Sequence, residues 1–73
     1  MLNLENLRAR IRGPGFVPFT LHLTDGRSYA VPHPDFISLG RNVVVVITPD
    51  DVSHTIDPLH IVEVSEAVED RRG

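Results

Sequence analysis

Turn-forming sequences recur along most of this chain, and their spacing constrains the fold more than any other feature. After Phe16, short apolar runs are separated by Asp25-Gly26, Gly40-Arg41-Asn42, Pro49-Asp50-Asp51 and Asp57-Pro58. Turn signals roughly 8 to 12 residues apart are typical of short antiparallel strands in a small sandwich or barrel. We therefore predict a mainly β domain, with strands between about residues 16 and 64.

One helical pattern precedes the predicted strands. Apolar residues recur at the spacing of a single helical face at Leu4, Leu7 and Ile11. Asn3 can cap the start of this helix, and Gly13-Pro14-Gly15 can end it, so we predict a helix over about residues 3–12. Because so short a helix is marginal in water, we expect its apolar face to pack on the strands.

The first hairpin has two alternative registers. With Asp25-Gly26 as a two-residue turn, apolar and polar side chains mix on both faces. With Thr24-Asp25-Gly26 as a three-residue loop and Gly26 in the left-handed conformation, the large apolar residues share one face. The second register is therefore favoured, and it predicts the pairs Leu23 with Arg27, Leu21 with Tyr29, and Phe19 with Val31.

The second half of the chain predicts three further strands. Pro32 and Pro34 cannot donate backbone hydrogen bonds, so the chain must turn or lie at an edge there. The β-branched run from Val43 to Thr48 predicts a strand buried on both faces. Further strands are expected over Val52–Ile56 and His60–Val64. The resulting single domain covers residues 1–64, and residues 65–73 are expected to form a flexible polar tail.

The size of the chain favours self-association. It has 73 residues and no cysteine, so neither a disulfide framework nor a thiolate zinc site can brace the small core. An exposed edge of the Val43–Thr48 strand would promote aggregation in a monomer. We therefore expect a homo-oligomer. The longest apolar run is too short for a membrane span, and no signal-peptide pattern occurs, which predicts a cytoplasmic protein without a membrane partner.

Neither catalysis nor a cofactor is predicted. The four histidines have no recognised metal-ligand spacing, and the serines lie in no nucleophile-elbow motif. No glycine-rich phosphate loop occurs either. We expect a noncatalytic protein with no metal site.

The predicted order of one helix and five strands resembles the small barrels of the Sm and Hfq kind. The segment from Phe19 to Arg27 is similar to the first motif of that family, in which an alternating apolar strand is followed by Asp/Asn-Gly and a return strand. The corner from Ile56 to Ile61 and the helical Arg8, Arg10 and Arg12 are the other similarities, the arginines resembling the rim of Hfq-like proteins. SH3-like barrels share much of the hairpin pattern. The resemblance implies a five-stranded small barrel of Sm/SH3-like type after the helix.

Two departures from the family separate fold from function. Asp57-Pro58-Leu59 stands where Hfq-like proteins place a Lys-His pair, so this corner has no cation. Pro32 to Phe36 stands where Sm proteins have a glycine-bent strand, and only Asp35 and Phe36 resemble part of the base-stacking platform of that family. A shared fold does not carry the function with it.

Two functions follow as hypotheses. In the first, the protein is a noncatalytic interaction module that self-associates and binds a protein partner through exposed strand edges. In the second, it is an Hfq/Sm-like RNA-binding protein that uses a helical arginine rim. The net charge of −3 and the few aromatic residues favour the first. The candidate contacts for RNA or a protein partner are Arg8, Arg10, Arg12, His33, Asp35, Phe36 and His60.

Overall fold

A computed structural model describes residues 4–66 of the chain. In this range one helix, α1 (Leu4–Arg12), precedes six strands. The strands are β1 (Phe19–Leu23), β2 (Ser28–Val31), β3 (Ile37–Leu39), β4 (Val44–Ile47), β5 (Ser53–Ile56) and β6 (Ile61–Glu66). Two short 3₁₀ turns, Pro34–Phe36 and Pro58–His60, precede β3 and β6. The predicted class, mainly β with an N-terminal helix, is confirmed, whereas the predicted cap Asn3 lies outside the described residues.

The six strands form two antiparallel three-stranded sheets, in the orders β2-β1-β6 and β3-β4-β5. Neither sheet is closed, so the structure does not show the expected five-stranded closed barrel, and β3 is a sixth strand in a stretch for which no strand was predicted. The cause is the pair Pro32 and Pro34, which lack the N–H groups that a continuous ladder would need. The chain leaves the first sheet after Val31 and enters the second at Ile37.

The register predicted for the first hairpin is confirmed. Phe19 faces Val31 and Leu21 faces Tyr29. The N–H of Leu23 donates to the carbonyl of Arg27 at 2.9 Å, and the N–H of Gly26 donates back to Leu23 at 3.1 Å. Gly26 has φ +91°, the left-handed conformation that the three-residue loop requires. The strand itself begins at Phe19 rather than near residue 16.

The hairpin between β4 and β5 uses the same loop. The N–H of Thr48 donates to Val52 at 2.9 Å, and the N–H of Asp51 donates to Thr48 at 2.8 Å. Asp51 has φ +66° and so occupies the position that Gly26 occupies in the first hairpin. This equivalence is not evident from the sequence, because Asp is less diagnostic of a left-handed residue than Gly.

The apolar core joins both sheets to the helix. Its buried members are Leu7, Phe19, Leu21, Leu23, Val31, Ile37, Val44, Val46, Ile56 and Ile61. Leu4, Ile11 and Tyr29 pack against this cluster and are partly buried, as the helical and hairpin patterns predicted. In β4, Val44 and Val46 are fully buried, whereas Val45 and Ile47 are only half-buried. Complete burial of both faces of this strand was therefore too strong an expectation, because one side of β4 is not fully covered within the described residues.

The last strand is longer than expected and contains a bulge. His22 faces Glu63 but Leu23 faces Ile61, which leaves Val62 as the extra residue. The bulge turns both Val62 and Glu63 outward, after the buried Ile61. Ser65 and Glu66 belong to β6, so the tail predicted from residue 65 was wrong at these two positions, where both side chains have partners across the fold. The remainder of the predicted tail, 67–73, lies outside the described residues.

Within residues 4–66, no helix has the length and apolar character that a membrane span requires.

Candidate functional site

A cleft of about 600 Å³ lies beside the first hairpin loop and the corner between β5 and β6. Leu23 and Ile56, both nearly buried, contribute apolar surface to it. Its other walls are polar or aromatic, and they are formed by Thr24, Asp25, Arg27, Tyr29, Ser53, His54, Thr55, Asp57 and His60. The cleft therefore combines an apolar surface with many hydrogen-bonding groups, which is typical of a binding surface.

One wall of the cleft is an ordered chain of side chains from the first hairpin. Arg27 Nε donates to Asp25 Oδ2 at 2.7 Å, and Arg27 Nη1 donates to the Tyr29 hydroxyl at 3.3 Å. The backbone N–H of Arg27 donates to Asp25 Oδ1 at 3.0 Å. This backbone hydrogen bond, followed by the guanidinium, lowers the pKa of Asp25 below its ordinary value. The same carboxylate raises the pKa of Arg27. Because Arg27 is neutralised by its neighbour, the wall offers little net positive charge to an anion.

Two histidines also line the cleft. The rings of Tyr29 and His54 lie 4.8 Å apart between centroids and are tilted by 39°. His60 Nδ1 lies 3.3 Å from Thr24 Oγ1, while the N–H of Thr24 donates to the His60 carbonyl at 2.8 Å. His54 is half-buried. This ring contact between the two sheets was not predicted from the sequence.

The three helical arginines do not act as one cluster. Arg10 forms an ion pair with Glu66 of β6, and its guanidinium carbon lies 6.0 Å from the centroid of the Phe19 ring. Arg10 is therefore engaged in joining α1 to the first sheet. A cation held in this way stabilises the fold and is a poor contact for an added ligand.

Arg8 and Arg12 instead border a small groove of about 200 Å³ between α1 and β3. Its other lining residues are Ile11, Ile37, Ser38 and Leu39. The Arg8 side chain is 26% exposed and lies 3.9 Å from a Glu5 carboxylate oxygen. Because Glu5 is 78% exposed and the two groups lie at the limit of ion-pair distance, this pair contributes little free energy.

His33, Asp35 and Phe36 are brought together by the first 3₁₀ turn. His33 Nδ1 accepts the N–H of Asp35 at 3.2 Å and caps the turn. The His33 and Phe36 rings are 6.2 Å apart, and the Asp35 side chain is 85% exposed. This turn forms because a capping side chain precedes a proline. The same arrangement recurs at Asp57-Pro58, where Asp57 Oδ1 accepts the N–H of Leu59 at 3.0 Å. His33 and Asp57 therefore have a structural role, because each caps a 3₁₀ turn.

The seven predicted contact residues therefore fall into separate places. His60 lies in the cleft, the 3₁₀ residues form their own group, and the arginines divide between a structural contact and the groove. The cleft residues Asp25, Tyr29 and His54 were missed. The signal available in the sequence was that Tyr29 lies on the apolar face of the hairpin but beside its polar loop.

Four large apolar side chains of the described residues are exposed: Val17 at 44%, Val52 at 44%, Leu59 at 64% and Val62 at 61%. Three of them flank or belong to β5 and β6. Within residues 4–66 each of these strands is paired on one side only, β5 with β4 and β6 with β1. We call the free edges of β5 and β6, with Leu59 and Val62, the β5–β6 surface.

Groups of three or more metal-ligating side chains are absent from the part of the chain that the structure describes. Comparisons of the chain with family models, with curated proteins and with solved structures find no match.

Proposed function

We propose that this chain is a noncatalytic interaction module that self-associates through the β5–β6 surface and binds a protein partner. The observation that carries the proposal is the exposure of Leu59 and Val62 beside two unpaired strand edges. Exposed apolar residues next to free backbone donors and acceptors are typical of surfaces that pair with another chain.

The hydrogen-bond pattern of β5 supports edge pairing. Thr48 and Val52 form a hydrogen-bonded pair, and the bonding direction alternates along an antiparallel ladder. The backbone groups of Ser53 and Thr55 consequently point away from β4. They are the groups that a strand from a second copy would bind.

We further propose that the two sheets are the halves of a small barrel of Sm/SH3-like type. β2 and β3 would be one bent strand interrupted by prolines, which connects the sheets in the order β6-β1-β2/β3-β4-β5. The resemblance to Sm and Hfq proteins supports edge pairing between subunits, because such proteins form rings in that way.

The alternative is an Hfq/Sm-like RNA-binding protein. The location of Arg8 and Arg12 beside one groove favours it. The pairing of Arg10 with Glu66 and the absence of aromatic side chains from that groove favour the interaction module instead.

The experiment that tests self-association is light scattering after size-exclusion chromatography at micromolar protein. We expect a mass that is a multiple of the 8.1 kDa chain. The double variant Leu59→Ser/Val62→Ser should shift the mass toward the monomer. Val17→Ser, which removes an exposed apolar side chain elsewhere, should not.

A second variant separates edge pairing from apolar contact. Thr55→Pro removes an N–H that points away from β4, so it should leave the fold intact while blocking a paired strand. Circular dichroism and thermal unfolding report the fold of each variant. A monomeric wild-type protein, or unchanged assembly of the folded Leu59/Val62 variant, would exclude the proposal.

A further inference from the structure

The groove between α1 and β3 combines features that a single ligand class would satisfy. Two cationic side chains, Arg8 and Arg12, line the groove together with the apolar side chains of Ile11, Ile37 and Leu39. Arg12 is exposed and has no ion pair or hydrogen bond among the described residues, so its charge is available. An anionic ligand with an apolar part would match both components.

Backbone groups of β3 at the same groove offer a ligand further hydrogen bonds. The N–H of Gly40 donates to Val43 at 2.8 Å, which fixes the alternation of the β3–β4 ladder. The N–H and carbonyl of Leu39 therefore point away from β4, while the N–H of Ile37 is already donated to Pro34. β3 is paired on one side only within residues 4–66. Leu39 thus offers a donor and an acceptor to an extended chain.

We propose that this groove binds an extended acidic peptide segment of a partner protein, which pairs with the free edge of β3 and places carboxylates against Arg8 and Arg12. Strand addition supplies affinity through main-chain hydrogen bonds, and the side-chain contacts supply selectivity. Guanidinium groups bind carboxylates in a well-matched geometry. The groove is separate from the β5–β6 surface, so the proposal does not depend on self-association.

The groove favours a peptide over RNA for two reasons. It contains no aromatic side chain on which a base could stack. Its volume of about 200 Å³ suits side chains rather than a base with its ribose. The Glu5 carboxylate, 3.9 Å from Arg8 Nε, competes weakly for the same cation, which predicts modest affinity.

The test is a titration of the full chain with a short peptide of alternating Glu and Val, followed by fluorescence anisotropy and by amide NMR. A peptide of alternating Gln and Val is the neutral control. We expect the acidic peptide to bind and to shift the Leu39 amide, and the neutral peptide to bind at least about tenfold more weakly. Absence of binding by the acidic peptide, or equal binding of both peptides, would overturn the proposal.

Protein variants locate the site. Arg8→Glu/Arg12→Glu should weaken binding of the acidic peptide by at least about tenfold and create affinity for a peptide of alternating Lys and Val. Arg41→Glu makes a charge reversal at an exposed turn and should change the affinity by less than about twofold. If the double reversal unfolds, Arg8→Gln/Arg12→Gln is measured in its place. An unchanged affinity in the folded variant would refute the assignment.

A short single-stranded RNA serves as the competing ligand. Displacement of the acidic peptide by that RNA at lower concentration than unlabelled peptide would overturn the proposal in favour of nucleic-acid binding. Failure of self-association would leave these outcomes unchanged, because they require only the folded chain.

Discussion

His22 and Ser65 join the first and last strands of one sheet, with His22 Nε2 2.7 Å from Ser65 Oγ. The two residues are diagonal neighbours on the outer face, since His22 faces Glu63 and Thr20 faces Ser65. The hydrogen bond therefore holds β6 in register beyond the bulge at Val62.

Removing this hydrogen bond should destabilise the protein slightly. Ser65→Ala is expected to lower the free energy of unfolding by about 0.5–1.5 kcal/mol, because the pair is only half-buried. The exposed Ser53→Ala is the matched control and should change it by less than about 0.5 kcal/mol. Urea unfolding measures both. A double-mutant cycle with His22→Ala that shows no coupling would contradict the assignment.

A core truncation should unfold much of the population. Leu21 is completely buried and faces Tyr29 on one side and Val64 on the other. Leu21→Ala is expected to cost about 2–5 kcal/mol, a large part of the stability of so small a domain. Val17→Ala at an exposed site should cost far less. Equal unfolding midpoints for the two variants would show that the core has been misassigned.

The two hairpin loops should respond alike to β-branched residues. Gly26 and Asp51 both have positive φ, and a Cβ at position 26 would meet no heavy atom within 4 Å beyond the two neighbouring residues of the chain. A loss of stability there would consequently come from the backbone. We expect Gly26→Val and Asp51→Val each to cost about 1–2 kcal/mol, and Asp51→Gly to stay within about 0.5 kcal/mol of wild type. Thermal unfolding measures these changes. A Gly26→Val variant that unfolds at the same temperature as the wild type would disprove the left-handed conformation of this loop.

Stability should fall on acidification through two loop carboxylates. The pKa of Asp25 is lowered mainly by the Arg27 backbone N–H, and that of Asp50 mainly by the Thr48 hydroxyl. Because both folded-state pKa values lie below the unfolded value of about 3.9, the stabilisation is complete above about pH 4–5 and is lost as the pH falls through the folded values.

The dependence of stability on pH in the acidic range tests these two carboxylates directly. Asp25→Asn and Asp50→Asn should each make the fall of the unfolding free energy below about pH 4 shallower than in wild type. Urea unfolding at a series of pH values measures that slope. Identical slopes in all three proteins would be inconsistent with the two hydrogen-bonded carboxylates.

RNA affinity should remain weak at physiological salt. We expect no complex tighter than the non-specific range of about 10–100 micromolar, because the chain is acidic overall and Arg10 is paired with Glu66. Gel shifts with short U-rich and A-rich RNA over a range of salt concentrations measure this. A submicromolar, sequence-selective complex would promote the Hfq-like alternative.

Local patterns predicted the parts of the fold that depend on local chemistry. Leu7 lies on the helical face that packs on the core, and Gly26 marks the first loop, so both were found from spacing and turn chemistry. The bulge at Val62 has no such signal, because it depends on how β6 meets β1. Pro32 indicated a loss of backbone hydrogen-bond donors, but the sequence did not predict that the chain would divide into two sheets there or that β3 would follow.

The candidate site was less predictable because side chains distant in sequence build it. Tyr29 and His54 meet across the two sheets, and neither position shows its partner in the sequence. The same holds for Arg10 with Glu66, whose separation in sequence concealed that one of three similar arginines is structural. The caps His33 and Asp57, by contrast, each precede a proline and were available to local reasoning.

The sheet order also has a consequence for the timing of folding. β1 lies between β2, its nearest successor, and β6, the last strand of the described chain. During synthesis from the N-terminus, one edge of β1 stays unpaired until residues 61–66 have left the ribosome. The strands β3, β4 and β5, by contrast, can pair as they emerge. Closing so long a loop slows the final step relative to the hairpins. We therefore expect the last strand to control when, during its production, the protein ceases to be vulnerable to misassociation.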